Sequence, residues 1–247
     1  VALSEDLIDN IASEINAPVK ILLSDGTYTD MEGFEVVNKY QKAEKFINDI
    51  LLIYAEKTGR VEAVATGDKE TKILGFYSPV GGSGKTTIAL AASVSIARQG
   101  KRVFYLNAEK INSTVSLLNE GENSSMSDVY LALKTKGSNV GLRIMANKCT
   151  DSETNISYIK PSESSLEINE ITSAEFVRLL SEFEGLGEFD YVTVDFDSEF
   201  TKEKAKILEK CDKIIVPFLA ETASLSKARL FIRELGMYDE LKEIQDK

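Results

Sequence analysis

A glycine-rich segment between two apolar runs constrains this chain more than any other feature of its sequence. Residues 79–87 read PVGGSGKTT, the run 73–77 before them predicts a buried strand, and the alanine-rich run from Ile88 to about Gln99 predicts a helix. A strand, a glycine-rich turn and a helix N-terminus together form an anion site, because backbone N–H groups turn inward and the helix dipole favours negative charge. The segment therefore predicts a phosphate-binding loop.

The side chains of this loop predict a nucleotide and a metal ion as ligands. Lys85 would reach the terminal phosphates, and the Thr86 hydroxyl would coordinate Mg²⁺. The alternative interpretation is a glycine-rich turn that binds nothing. We expect an ATP·Mg²⁺ site whose nucleotide contacts come from Gly81, Gly82, Ser83, Gly84, Lys85, Thr86 and Thr87.

A carboxylate at the end of a later strand is the second candidate for the metal site. Residues 190–195 read DYVTVD, a run of β-forming residues that ends in Asp195. P-loop proteins hold Mg²⁺ with an aspartate in this position, although many other strands also end in a carboxylate at a turn. We therefore assign Thr86 and Asp195 to the metal, and we expect Asp197 to be solvated or to cap a helix.

From residue 72 onward, predicted strands and helices alternate along the chain. Apolar runs predict further strands at 102–106, 141–146, 190–195 and 213–217. Helical periodicity and a capping box at 172–175 predict helices at 113–119, 126–134, 173–183 and 221–235. The polar stretch 147–170 is predicted to be a loop. This alternation predicts an α/β fold, a P-loop NTPase with a mainly parallel sheet and helices on both faces.

Residues 1–60 are predicted to form a smaller, separate unit. Its elements are a helix at 4–15, strands at 19–24 and 34–37, and a second helix with inward side chains at Ala43, Phe46, Ile47, Ile50, Leu51 and Tyr54. The polar stretch 61–71 predicts a linker. We therefore divide the chain into a domain at 1–60, a linker at 61–71 and a nucleotide-binding domain at 72–247, with truncation at its C-terminus left open.

The composition argues against several classes of function. The 247 residues include 29 basic and 40 acidic side chains, and the resulting net charge of −11 opposes sequence-independent binding to nucleic acid. The chain has no histidine, which excludes histidine bases and histidine-ligated metals. It has no apolar run of about 18 residues, so no membrane insertion is expected. Cys149 and Cys211 lack metal-type spacing, and we expect a cytoplasmic protein with reduced thiols.

The glycine-rich loop also resembles that of one group of ATPases. The doubled glycine of Gly81 and Gly82, followed by SGKT, is similar to the deviant loop of the ParA/MinD group, K-G-G-x-G-K-[ST]. In that group the first lysine crosses a dimer interface and touches the partner's nucleotide, whereas Val80 stands in its place here. The resemblance implies a homodimer around ATP with Val80 facing the partner, and the missing lysine predicts slow hydrolysis.

The same resemblance implies a role for the end of the second strand of this domain. In the ParA/MinD group that strand ends in Asp-x-Asp, and the second aspartate positions or activates the attacking water. This chain has Asn107, Ala108 and Glu109 there. The resemblance therefore implies that Glu109 is catalytic together with Lys85, while Asn107 is interpreted as a hydrogen-bonding turn residue. Residues 110–114 would sense the γ-phosphate.

One further segment is similar to the guanine-selecting motif N-K-x-D of GTPases. Residues 147–151 read NKCTD, so the aspartate comes one position late. The segment also precedes the strand of Asp195, whereas the guanine motif follows it. We therefore favour ATP over GTP.

The order of elements in residues 1–60 resembles the C-terminal half of a response-regulator receiver domain. Lys39 lies where receivers keep a lysine after their last strand, and Tyr40 replaces the usual proline. Residues 1–60 are not expected to include the half that would carry the phosphoacceptor aspartate. A docking or dimerisation module is therefore favoured over a phospho-switch, and the chain is expected to begin partway through this domain.

A receiver-like domain joined to a deviant-loop ATPase resembles the TadZ/CpaE group of pilus-assembly proteins. The resemblance implies a cytoplasmic ATPase that dimerises around ATP and places a tight-adherence (Tad) pilus secretion machine, often at a cell pole. Its partners would be Tad components or a polar landmark protein. Two alternatives remain open, a ParA-type partitioning ATPase that rides on DNA and a metabolic P-loop enzyme of the same superfamily.

Overall fold

Two separate β-sheets organise the chain in the computed structural model. The structure describes residues 2–4, 17, 19–41, 46, 49–50, 53–54, 57, 70–112, 118, 124–162, 164–237, 244 and 247. Within these residues, one sheet has three strands and the other has six. No helix among the described residues is long and apolar enough to cross a membrane.

The first sheet contains β1 (Ala2–Ser4), β2 (Ile21–Ser24) and β3 (Glu35–Asn38), all parallel with β2 in the middle. The predicted strands at 19–24 and 34–37 are thus confirmed, while β1 was not predicted. Phe46 and Ile50 pack on the core of this sheet as predicted, but Tyr54, predicted to point inward, is 40% exposed. Ala43, Ile47, Leu51 and most of the helix predicted at 4–15 lie outside the described residues.

The second sheet forms the frame of the predicted nucleotide-binding domain. Its strands are β4 (Lys72–Phe76), β5 (Val103–Ala108), β6 (Cys149–Thr150), β7 (Ser157–Tyr158), β8 (Tyr191–Phe196) and β9 (Lys213–Ile215). They lie in the order β6-β7-β5-β8-β4-β9, and every pairing is parallel except β6 with β7. The predicted mainly parallel sheet is confirmed, and the carboxyl ends of β4, β5 and β8 meet at one edge.

Helices cover both faces of this sheet. They are α1 (Lys85–Arg98), α2 (Met126–Lys134), α3 (Val140–Asn147), α4 (Ser165–Asn169), α5 (Ser173–Leu186), α6 (Lys202–Glu209) and α7 (Thr222–Met237). Because side chains alternate along a strand, Tyr105 of β5 shares a core cluster with Ala89 of α1, whereas the neighbouring Phe104 stacks on Phe183 of α5 at 4.6 Å. The predicted capping box forms, with Thr172 and Glu175 bonded reciprocally at the start of α5.

Two predictions in the middle of the domain are wrong. Residues 141–146, predicted as a strand, lie in α3, where the Asn139 side chain caps the helix by accepting from the Leu142 N–H at 3.0 Å. A short apolar run does not distinguish a buried helix from a strand, and the cap decides between them. The stretch 147–170, predicted as a loop, contains β6, β7 and α4. Residues 113–117 of another predicted helix lie outside the described part of the chain.

Candidate nucleotide site

The glycine-rich loop connects β4 to α1 in the conformation that its sequence requires. Gly82 has a φ of 71° and Gly84 a φ of 84°, both in the left-handed region that side chains with a Cβ avoid. Gly84 is the N-cap of α1, and its carbonyl accepts the Ile88 N–H at 2.9 Å. No acidic residue lies in the first turn of α1, so the positive end of the helix dipole faces the loop without a neutralising charge.

Val80 lies inside this chain. Its side chain is 7% exposed, and its backbone N–H donates to the Ser78 hydroxyl at 3.2 Å. The expectation that Val80 faces a partner chain is therefore wrong, because an apolar side chain that is already buried offers little surface to a second molecule.

Lys85 opens α1 and points toward the segment that follows β8. Its side chain is 7% exposed, and Nζ donates to the Ser198 hydroxyl at 3.0 Å. Ser83, two residues earlier, is buried, and its hydroxyl has no hydrogen-bond partner among the described residues. Sequence reasoning missed Ser198, because no motif marks it. Its only signal is its position three residues after Asp195.

Asp195 is the most deeply buried acidic side chain near this loop, with no exposed surface. In the register of the sheet it lies beside Phe76 of β4 and Asn107 of β5. Its Oδ2 accepts from the Tyr105 hydroxyl at 3.1 Å, while Oδ1 has no hydrogen-bond partner of good geometry among the described residues. A buried carboxylate oxygen without a partner is costly, and it indicates a site for a ligand atom.

The surroundings of Asp195 show which predicted site residues come together. Burial raises the pKa of Asp195 to about 6. A looser contact with the Thr86 hydroxyl lowers this pKa, the negative charge of Glu109 raises it, and the positive charge of Lys85 lowers it. The residues predicted separately from the loop, from β5 and from β8 therefore surround one carboxylate.

Asn107 and Tyr105 order the end of β5. The Asn107 side chain accepts from the Glu109 N–H at 2.9 Å, which confirms Asn107 as a hydrogen-bonding turn residue, and its amide donates to the Tyr105 hydroxyl at 3.4 Å. Burial, followed by the charge of Asp195, raises the pKa of Tyr105 and keeps this phenol a donor. Sequence reasoning missed Tyr105, because a tyrosine within a buried strand is ordinarily interpreted as a core residue. Its side chain lies on the α1 face of the sheet.

The residues after β8 are held by lysines. Asp197 forms an ion pair with Lys204 of α6 at 3.2 Å and also accepts the Glu199 N–H at 3.2 Å. Glu199 forms a salt bridge with Lys110, which directly follows Glu109. The expectation that Asp197 is solvated or caps a helix is wrong, because its side chain is only 19% exposed and Thr201, not Asp197, caps α6.

The donor set fits Mg²⁺ held jointly with phosphate oxygens. The Asp195 carboxylate, whose Oδ1 has no hydrogen bond of good geometry among the described residues, and the Thr86 hydroxyl are hard oxygen ligands. Mg²⁺ in nucleotide sites typically takes one or two protein oxygens besides phosphates and water. No group of three or more Asp, Glu or Cys side chains suitable for a metal occurs within the described residues. The site is thus suited to a cation that arrives with its nucleotide.

The parallel sheet, the loop at the carboxyl end of β4 and the aspartate of β8 define a P-loop NTPase fold. Residues 71–244 match the AAA domain family, and the chain belongs to that family. None of the curated proteins compared with the chain shows significant sequence similarity to it.

Solved structures agree on the fold. The chain resembles the ParA family ATPase from Chlorobium tepidum TLS with a TM-score of 0.56 and 17% identity, over 68% of this chain and 69% of that one. It also resembles MinD, the septum site-determining protein from Pyrococcus horikoshii OT3 complexed with Mg-ADP, with a TM-score of 0.53 and 18% identity, over 67% of this chain and 66% of that one. For cobyrinic acid a,c-diamide synthase from Mycobacterium smegmatis with bound ADP and magnesium, the TM-score is 0.54 and the identity 18%, over 71% of this chain and 68% of that one. These likenesses show a ParA/MinD-type fold.

Proposed function

We propose that this chain binds ATP with Mg²⁺ and hydrolyses it slowly, as a switch. The observation that carries the proposal is the buried Asp195 carboxylate, whose Oδ1 has no hydrogen bond of good geometry among the described residues and which lies beside Thr86 and Lys85 at the glycine loop. Two solved structures of the same fold hold ADP and magnesium. A structural carboxylate would instead be expected to have both oxygens satisfied.

Each residue of the site has a defined task in this proposal. The loop N–H groups and the start of α1 hold the phosphates, and Lys85 adds a charge-assisted hydrogen bond to a terminal phosphate oxygen. Asp195 and Thr86 would hold Mg²⁺, which supplies positive charge to the transferring phosphoryl group. Glu109 would orient the attacking water and accept a hydrogen bond from it. Tyr105 keeps the Asp195 carboxylate in place through Oδ2.

Calorimetry tests this proposal directly. Titration with ATP in the presence of Mg²⁺ should give a single binding site per chain, and EDTA should weaken the binding because Asp195 would lose its cation. GTP is expected to bind more weakly than ATP. Absence of measurable heat and of any thermal stabilisation with either nucleotide would contradict the proposal.

Hydrolysis is expected to be slow, below about 1 s⁻¹, which lies at the low end for enzymes. A cation supplied across an interface is worth about 10³ to 10⁵ in turnover at phosphoryl-transfer sites, and Val80 cannot supply one. Glu109→Gln should lower turnover further, by about 10² or more, while ATP affinity changes little, since general bases contribute this much. Release of phosphate from wild type, Glu109→Gln and the surface control Glu153→Gln measures both effects.

We propose in addition that the switch positions a Tad-type pilus or secretion machine. The three parallel strands of the first sheet lie in sequential order, and the Lys39 N–H donates to the Ser24 carbonyl at 2.8 Å where β2 and β3 end, an arrangement compatible with the resemblance to receiver domains. Its partners would be Tad components or a polar landmark protein in the cytoplasm. A fluorescent fusion in a piliated host should collect at the machine, and diffuse signal in pilus-positive cells would argue against this role.

Partitioning by a ParA-type ATPase is the second candidate, because one of the solved structures of this fold is a ParA family ATPase. The net charge of −11 opposes it, since binding to DNA depends on lysines and arginines that neutralise phosphates. A titration with duplex DNA at 50 and 200 mM salt in the presence of ATP distinguishes the two. Strong, salt-dependent binding would favour partitioning over pilus placement.

A homodimer is proposed as the working form. Exposed large apolar side chains concentrate on α7 and the segment before it, namely Phe218, Leu219, Leu225, Leu230, Ile232 and Met237. Apolar surface of this kind indicates an interaction site. Light scattering at micromolar concentration with ATP and Mg²⁺ should show a dimer, and Leu230→Glu should weaken it more than Leu131→Glu, which alters an exposed leucine on α2. A wild-type monomer under these conditions would refute the proposal.

A further inference from the structure

Three consecutive residues after β8 each contact a different lysine. Asp197 pairs with Lys204 of α6, Ser198 accepts from Lys85 of the glycine loop, and Glu199 pairs with Lys110 of the loop after β5. We call residues 197–199 the β8–α6 segment. It connects three elements that surround the candidate nucleotide site.

The contact at Ser198 differs from the other two. Asp197 and Glu199 offer their lysines a full negative charge, whereas Ser198 offers Lys85 a neutral hydroxyl. The Lys85 ammonium makes either hydrogen bond charge-assisted, but only an anionic oxygen adds the attraction between two full opposite charges. A phosphate oxygen is therefore a better acceptor for Lys85 than Ser198 is.

Because Lys85 is buried, its ammonium depends on the acceptors that the site provides. The Lys85 side chain is 7% exposed, so water does not readily replace a lost acceptor, and an unpaired buried ammonium is costly. Ser198 supplies the side-chain hydrogen bond that Lys85 makes within the described residues. Its hydroxyl takes one of the three N–H donors of the ammonium and holds Nζ on the side of the β8–α6 segment.

We propose that Ser198 is a positioning residue of the nucleotide site that competes with the terminal phosphates for Lys85. The inference rests on the proposed binding of ATP. When phosphates take Lys85, the β8–α6 segment loses one of its three lysine contacts. Because Glu199 of the same segment is bonded to Lys110, the change reaches the loop that carries Glu109.

Competition and a merely structural role predict opposite changes in nucleotide affinity when Ser198 is removed. If Ser198 opposes the phosphates, then Ser198→Ala removes the competitor and should tighten binding of ATP and ADP by about tenfold, the lower end of the range for a hydrogen bond to a charged group. Ser198→Thr, which keeps the hydroxyl, should restore wild-type affinity. A side chain that only supports the fold would weaken binding when it is removed.

Calorimetry with Mg·ADP and Mg·ATP on wild type, Ser198→Ala and Ser198→Thr gives the test, with Ser181→Ala on the exposed face of α5 as the matched control. Tighter binding by Ser198→Ala alone supports the inference. Unchanged or weaker binding by this variant overturns it while leaving ATP binding intact. Failure of the wild type to bind either nucleotide contradicts the proposed function instead.

Hydrogen exchange provides a second readout that does not depend on a variant. Peptides that cover residues 197–201 should exchange faster when Mg·ADP is added, because the segment loses the Lys85 contact. Peptides from the buried strand β8 should be protected or unchanged. Slower exchange in the β8–α6 segment on addition of Mg·ADP would overturn the inference, since it would mean that the nucleotide tightens this segment.

Discussion

Lys85→Ala is expected to abolish tight binding of ATP, with a loss of affinity of about 100-fold or more. The ammonium is buried and lies at the start of α1, where it can give the phosphates a charge-assisted hydrogen bond in a site that excludes much of the water. A hydrogen bond to a charged group contributes about 1.5–3 kcal/mol, and the upper part of that range corresponds to about 100-fold. Calorimetry with Mg·ATP measures the loss.

A matched control separates lost charge at the site from lost charge in general. Lys136→Ala removes an exposed lysine after α2 and should leave ATP affinity within about twofold. Thermal melting should show that Lys85→Ala remains folded, because alanine is a good helix former at the first position of α1. A folded Lys85→Ala protein with wild-type affinity would mean that the glycine loop is not a phosphate site.

Asp195→Asn is expected to stabilise the fold and to remove the effect of Mg²⁺ on ATP binding. Burial raises the pKa of Asp195 from 3.8 to about 6. Each unit of difference in pKa between the folded and unfolded chain corresponds to about 1.4 kcal/mol. Ionisation of this carboxyl at neutral pH therefore lowers the free energy of unfolding by up to about 3 kcal/mol. Asparagine keeps the shape and can still accept from Tyr105, but it carries no charge to desolvate or to hold a cation.

The sign of this effect fixes its dependence on pH. The pKa of Asp195 is higher in the folded than in the unfolded chain. The protonated carboxyl therefore contributes to the free energy of unfolding below about pH 4, and this contribution is lost as pH rises through about 6. Urea unfolding of both proteins at pH 4 and pH 7 should therefore show a larger gain for Asp195→Asn at pH 7. Asp128→Asn, in the first turn of α2, serves as the control.

Binding should show the opposite trend. Because Asp195 must be ionised to hold a cation, the gain in ATP affinity that Mg²⁺ gives the wild type should shrink as pH falls below about 6. Asp195→Asn should show no such gain at any pH. An equal gain from Mg²⁺ in both proteins at pH 7 would exclude Asp195 as a metal ligand.

The parts of the fold that sequence could predict are those in which local pattern and tertiary environment agree. The strand–loop–helix of residues 73–98 has glycines where the backbone needs a positive φ, and the start of α5 has its capping box. Residues 141–146 were predicted wrongly because six apolar-rich residues fit either a strand or a helix, and the Asn139 cap that decides lies outside that run.

The site follows the same rule. Lys85, Thr86 and Asp195 lie in local motifs, whereas Tyr105 and Ser198 join the site only through the register of β5 with β8 and through the path of the chain after β8. Such residues can be assigned to the site only when the fold shows which strand ends lie together at one edge of the sheet. The burial of Val80 likewise depends on packing that the loop sequence does not contain.

The buried valine of the glycine loop also limits how this loop can be redesigned. Because only 7% of Val80 is exposed, Val80→Lys would either bury part of an ammonium or displace the packing around position 80, and it is expected to destabilise the loop. Introducing the lysine of the ParA/MinD pattern at position 80 is therefore expected to need at least one compensating change in the residues that cover this position.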